Sequence, residues 1–399
     1  MMKDKRAVWC LAVGQTLVWA GIYYIFPALI VRWEAEFGWS RTEITAALTI
    51  AILASAACSP ISGRLIDKGY GPRTLFGGAF IGGLLVTGLF FVNSLPVFYL
   101  IWAGLGICMA FSLYEPCFSF IIRTKGLAAK RYITIITLVA GLASTISFPL
   151  AYAISEAVGW RIAILTFVGL VSFIGAPLMW YGANHLHEDE SAAAPKAGTA
   201  SSSGKDRYGF LKWPKFWLVA FAFALIAMTH ATLINHLLLL LKDRQFDAGT
   251  AVLAASFMGP MQVAGRLSAI VAERFFSNSV VAVLCFIFSL AAVLALMAAT
   301  WIPAFLAVFI ILQGSGIGVV SIMKPIVTRE ILGGENFGLK SGAQAVPYFV
   351  GSAFAAFLGS LLWSVGGYDL VLRVLLFVLL AGMGALVFAM RLDRKDTAR

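Results

Sequence analysis

Apolar residues run along this chain in stretches of roughly 20, broken by short polar segments, as a bilayer core about 30 Å thick requires of crossing helices. Twelve such runs are predicted: Ala7 to Val31, Ile44 to Ser62, Leu75 to Val92, Val97 to Ile122, Ile133 to Ile154 and Ile162 to Tyr181, then Phe216 to Leu241, Ala251 to Ile270, Val280 to Trp301, Ala304 to Met323, Gly342 to Trp363 and Val371 to Met390. They are continuous and long, where lipid-facing barrel strands are short and alternating. The expected fold class is therefore all-α and polytopic, with twelve transmembrane helices. Composition agrees: 60% of residues are hydrophobic and 12% charged, about half the charged share of a globular domain. The first run comes after Lys3, Lys5 and Arg6 as a signal peptide would, but it is too long for one and reads as a retained first span.

The longest polar break, His185 to Lys215, is rich in Ser, Ala and Gly and reads as a flexible linker. The predicted organisation is a six-helix bundle over 1–182, a cytoplasmic linker over 183–213 and a second six-helix bundle over 214–399. His185 and His187 read as solvated loop residues. Features recur at offsets of 206 to 209 residues, as a duplication predicts. Gly63 to Lys68 matches Ala269 to Arg274, Val158-Gly-Trp matches Val365-Gly-Gly, and Glu115-Pro116 matches Lys324-Pro325. The two bundles are expected to be pseudo-symmetric.

A net charge of +11 raises the possibility of a nucleic-acid partner, but its distribution tracks the membrane. Of the 30 Lys and Arg, 23 fall on the side that holds both termini and six on the other, with Arg266 inside a span. Positive residues stay cytoplasmic, so both termini are placed there and no nucleic acid is expected. The five cysteines fall within spans, which argues against disulfides, and no spacing suggests a metal site.

The turn "GRLIDKGYGPR", Gly63 to Arg73, carries an acid, three bases and three glycines. Asp67 can meet the positive N-terminal end of a neighbouring helix. Gly69 and Gly71 permit a tight reversal, and Pro72 can start the next helix. These residues resemble the major facilitator superfamily, whose loop between helices 2 and 3 carries Gly-x-Leu-x-Asp-Arg/Lys-x-Gly-x-Arg/Lys. Gly63, Leu65, Asp67, Lys68, Gly69 and Arg73 fit, the last basic position falling at Gly71 or Arg73 according to alignment. The resemblance implies two bundles rocking about a central cavity and a gating role for Gly63, Asp67, Lys68 and Arg73. Glu115, placed near the cytoplasmic end of helix 4, is read either as a partner of Lys68 or Arg73 in that gate or as a proton site.

"FGWSRTEI" (Phe37 to Ile44), "GPMQVAGRL" (Gly259 to Leu267) and "GLASTISFPL" (Gly141 to Leu150) look like the bacterial monocarboxylate porter and oxalate/formate antiporter branch. That branch implies a helix 8 arginine that meets a substrate carboxylate, at the position of Arg266. Where some members carry an aspartate four residues earlier, this chain has Gln262. If Glu273 marks the surface, Arg266 lies about 10 Å inside, where a cation lines a cavity or pairs unless it snorkels outward. A histidine side chain is the usual proton carrier near neutral pH, which makes His236 a candidate for proton coupling. Asn235 beside it and Tyr23, on a helix 1 stripe with Thr16, Ala20 and Pro27, are candidate cavity residues. Lys324 reads as a positive-inside anchor.

No His-Glu-x-x-His, Gly-x-Ser-x-Gly or Gly-x-x-x-x-Gly-Lys-Ser/Thr pattern is present, so an enzyme is not expected. The expected function is a secondary transporter, monomeric and without cofactor, in the cell membrane (the bacterial inner membrane). It moves a small organic anion by alternating access, with a proton as the possible coupled ion. The alternative is an exporter of a drug or other toxic small molecule or oxyanion.

Overall fold

The computed structural model describes residues 2–193, 208–272 and 274–397, and over them the ordered elements are helices. Ten α-helices open the chain: α1 (Met2–Val18), α2 (Ile25–Phe37), α3 (Arg41–Leu65), α4 (Gly71–Val86), α5 (Leu95–Ser112), α6 (Tyr114–Lys125), α7 (Ala129–Ala140), α8 (Ala143–Val158), α9 (Trp160–Val168) and α10 (Ala176–Ala193). Five more complete it: α11 (Pro214–Asp243), α12 (Ala248–Ala272), α13 (Asn278–Ala298), α14 (Phe305–Leu332) and α15 (Phe337–Thr397).

Among the described residues eight stretches are long and apolar enough to cross a membrane. Three of them, Arg41–Phe90, Leu95–Val158 and Phe337–Arg394, have 50, 64 and 58 residues, which is more than twice what one crossing needs. Each reverses at glycine in the left-handed region: Gly69 (φ 89°), Gly126 (φ 55°) and Gly367 (φ 64°). With the 25-residue α12, the described residues hold the twelve expected crossings.

The chain packs as two compact units, Met1–Gly204 with Gly334–Val346, and Lys205–Gly333 with Pro347–Arg399. In the first, Phe26, Trp33, Phe98 and Trp102 form a fully buried aromatic core, with ring centroids 4.7 Å apart for Phe26 and Trp102 and 5.1 Å for Trp33 and Phe98. Helices α3 and α5 touch backbone to backbone where Gly106 meets Ala51. In the second unit α12 and α14 do the same where Gly318 meets Gln262. Without a hydrophobic drive in lipid, such close van der Waals approach is what holds helices together. The stretch Phe37 to Ile44 also has a local role: Ser40 and Glu43 form a capping box that starts α3.

Several expectations need correction. The linker expected over 183–213 is helical to Ala193, because Leu186 is fully buried and Ala, Leu and Glu extend α10; residues 194–207 and Glu273 lie outside the described residues. Gly71 is right-handed (φ −48°), so it does not serve the reversal; a side chain there would strike Phe120. The helix 1 stripe breaks because Trp19–Tyr23 is a π turn. The extra residue rotates the next helical turns about the axis, leaving Thr16 and Ala20 buried and Pro27 exposed.

The fourth predicted span is also interrupted, at Leu113 (ψ −158°) between α5 and α6. Pro116 has no N–H, so the carbonyl four residues earlier, Ser112, loses its intrahelical donor. Gln15 of α1, fully buried, supplies one at 2.6 Å.

Candidate functional site

The Gly63–Arg73 turn is built around one carboxylate. Asp67 accepts the backbone N–H of Gly338 through one oxygen and of Leu339 through the other, both at 2.7 Å. These are among the first N–H groups of α15, which have no intrahelical acceptor. Asp67 thus caps a helix 271 residues away in sequence, with charge and dipole aligned. The approach requires glycine on both sides: a Cβ on Gly63 would lie 1.9 Å from the Gly338 carbonyl oxygen, and one on Gly338 2.2 Å from that of Gly63. Arg123 donates to the carbonyl of Ile66 at 2.8 Å and to that of Asp67, bracing the turn from α6. Lys68 and Arg73 are exposed.

Glu115 does not pair with either of them. It lies in the first turn of α6, half-buried, ten residues from the end of that helix, or about 15 Å. The apolar run ends at Ile122 but the helix continues to Lys125, so Glu115 sits deeper than the hydropathy suggests. The residue before it, Tyr114, lies 4.8 Å from Trp19 and stacks on Phe118 at 4.8 Å. Tyr23 is half-buried and packs edge-on against Trp19 at 5.1 Å.

In the second unit Arg266 is 5% exposed, and its Nε donates to the carbonyl of Gly318 on α14 at 3.4 Å. It therefore does not snorkel. Gln262, one turn earlier and half-buried, faces the same segment of α14. Lys324 corrects the anchor reading: it is also 5% exposed, inside α14, with its ammonium 4.0 Å from the centre of the Tyr348 ring. Arg266 is thus not the only basic residue deep within a span. A cation–π contact of this kind replaces part of the lost hydration.

Helix α11 separates its polar residues. His236 is 6% exposed; one ring nitrogen is 3.0 Å from the carbonyl of Ala356 and the other 3.4 Å from the Tyr368 hydroxyl. It packs where Gly359 leaves room. Asn235 is exposed and bonds back to Ala231 of its own helix at 2.7 Å. His230, one and a half turns earlier, is 3.3 Å from the amide nitrogen of fully buried Gln313 on α14.

Gln15 and Gln313 were missed in sequence. Each ties together two helices of its unit, and each keeps a buried side-chain oxygen without a hydrogen-bond partner. A glutamine inside an apolar run was the available signal; Pro116 four residues after Ser112 was the second.

A profile of the Major Facilitator Superfamily matches residues 11–301. No curated protein sequence matches the chain. Among solved structures, a bacterial homologue of the iron transporter ferroportin, in its outward-facing state, is similar with a TM-score of 0.72 over 99% of this chain and 100% of its own. At 16% identity that likeness concerns the fold. Since the family profile runs through most of the sequence, the chain belongs to the Major Facilitator Superfamily and is a multi-pass membrane transporter.

Proposed function

We propose that this transporter moves a small, monocarboxylate-like organic anion by alternating access, with the termini and the Gly63–Arg73 turn on the cytoplasmic face of the bacterial inner membrane. The observation that carries this reading is the burial of two cations, Arg266 and Lys324, on the facing helices α12 and α14. Buried positive charge is costly in hydrocarbon, and in transporters it marks a solute or ion path. Arginine suits a carboxylate because its planar fork donates two parallel hydrogen bonds. Gln262 beside it adds a neutral polar group.

In this scheme Asp67 is the latch. Its two hydrogen bonds to the start of α15 hold one end of the cycle closed, and Gly63 sets the distance at which they form. Proton coupling is assigned to Glu115 and His236, both titratable groups within the spans. Tyr23 of the first unit and Asn235 of the second are further candidate substrate-binding residues.

A thermal-stability screen of the purified protein tests the substrate class, since a ligand that binds only the folded state raises the melting temperature. Small carboxylates, amino acids, sugars, toxic oxyanions and iron ions are compared. Stabilisation by carboxylates that is lost in Arg266→Ala is expected. Stabilisation by another class alone, or an equal carboxylate shift in Arg266→Ala, overturns the reading.

A further inference from the structure

Helices α3, α4 and α5 of the first unit enclose a groove of about 470 Å³ that none of the residues proposed for substrate lines. Its floor is made by Gly77, Gly78 and Cys108, where side chains are missing or small, and its rims by Ile81 and Ile107, which are 60% and 45% exposed. At Gly77 a Cβ would meet nothing within 4 Å, so the groove is open there. From Arg73 to Ile81 it runs along α4 for eight residues, or about 12 Å, into a stretch apolar enough to cross a membrane. Water is a poor occupant of so apolar a groove at that depth.

The charge at its mouth is unbalanced. Arg73 is exposed, with its guanidinium 5.9 Å from the Tyr70 ring centre, and neither it nor Lys68 forms an ion pair among the described residues. The acid of this turn, Asp67, is already committed to Gly338 and Leu339. The contrast with the opposite side of the unit is clear: there Arg32, Arg41 and Arg161 pair with Glu156, Glu34 and Glu36. Among the described residues of this unit those three arginines are paired, whereas Arg73 and Lys68 stand without an ion pair beside the apolar groove.

We infer that this groove holds one anionic phospholipid of the adjoining leaflet. An acyl chain lies on Gly77 and Gly78, and the headgroup phosphate meets Arg73 and Lys68. The apolar floor accounts for the chain, and the two cations select a negative headgroup over a zwitterionic one. A bound lipid would then be next to the Asp67 latch, because Lys68 is the next residue after Asp67.

The test uses the full chain in phosphatidylcholine vesicles doped with phosphatidylglycerol carrying a photoreactive diazirine in one acyl chain, with mass spectrometry of the labelled peptides. Label is expected on residues 77–81 and 107–111, suppressed by unlabelled phosphatidylglycerol. Arg73→Ala is expected to lower it about fivefold, the worth of one basic residue near an anionic headgroup. Gly77→Phe fills the groove and abolishes it, whereas Gly77→Ala, whose methyl meets no neighbour, leaves it intact. Both glycine variants are first checked for the wild-type melting temperature; unlabelled-lipid competition on the wild-type protein serves if either fails. Equal labelling by a phosphatidylcholine probe, suppression by inorganic phosphate in place of lipid, or unchanged labelling in a folded Gly77→Phe overturns the proposal.

Discussion

In the second unit a buried guanidinium lies against a backbone carbonyl of the neighbouring helix. Arg266 reaches the Gly318 carbonyl through its Nε, and a guanidinium is a planar fork of five N–H donors whose geometry matches a carboxylate. Removing one partner of a buried charge contact costs about 2 to 5 kcal/mol, or roughly 30-fold to several thousand-fold in affinity. Arg266→Ala is therefore expected to abolish measurable carboxylate binding, and Arg266→Lys, which keeps charge but loses the fork, to weaken it. Calorimetry on the two variants checks this. Near-native affinity in Arg266→Ala would return the residue to a purely structural role. Lys324→Met asks whether the second buried cation shares the site: an affinity loss of about tenfold or more is expected, within the range of a charged hydrogen bond.

Where two helical elements meet, the contact between the end of α3 and the start of α15 rests on geometry as much as charge. Asp67→Asn keeps one acceptor but turns an amide N–H toward a backbone donor, so one of the two capping bonds is lost. A hydrogen bond to a charged group contributes about 1.5 to 3 kcal/mol. If Asp67 is the proposed latch, turnover is expected to fall about tenfold or more while equilibrium affinity stays within a few fold, since a latch biases states without touching substrate. Gly63→Ala should reproduce that pattern with the carboxylate intact, because its methyl would lie 1.9 Å from the Gly338 carbonyl oxygen and the backbones must part. Transport rates and binding constants measured side by side decide the matter: lost binding with normal cycling in either variant removes the latch.

At the scale of the whole molecule, a transporter of this family needs a driving gradient. Glu115 lies deeper than hydropathy placed it, and His230 and His236 both bond to groups on other helices. Uptake into proteoliposomes is expected to accelerate with an inward proton gradient and collapse with a protonophore. Uptake that tracks sodium instead, or needs only a counter-substrate inside, rules out proton symport.

Hydropathy is a local property, so the twelve crossings, their order and the reversing turn at Gly69 were readable along the chain, as was the family itself from the Gly63–Arg73 pattern. Depth and partnership are not local. Which helix start Asp67 caps depends on residues 271 positions away. Lys324 looked like a surface anchor because its distance from a helix end is hidden until the end of α14 is known. Gln15 gains its purpose only when Pro116, on another helix, strips a donor from Ser112. A π turn in α1's continuation shifts a stripe that ideal 3.6-residue spacing had aligned. Local sequence determined which segments enter lipid, because each segment's transfer free energy is its own sum. Only the tertiary structure decided which polar side chains meet inside, because away from water an unpaired polar group is costly and which partners lie within reach depends on how the helices pack.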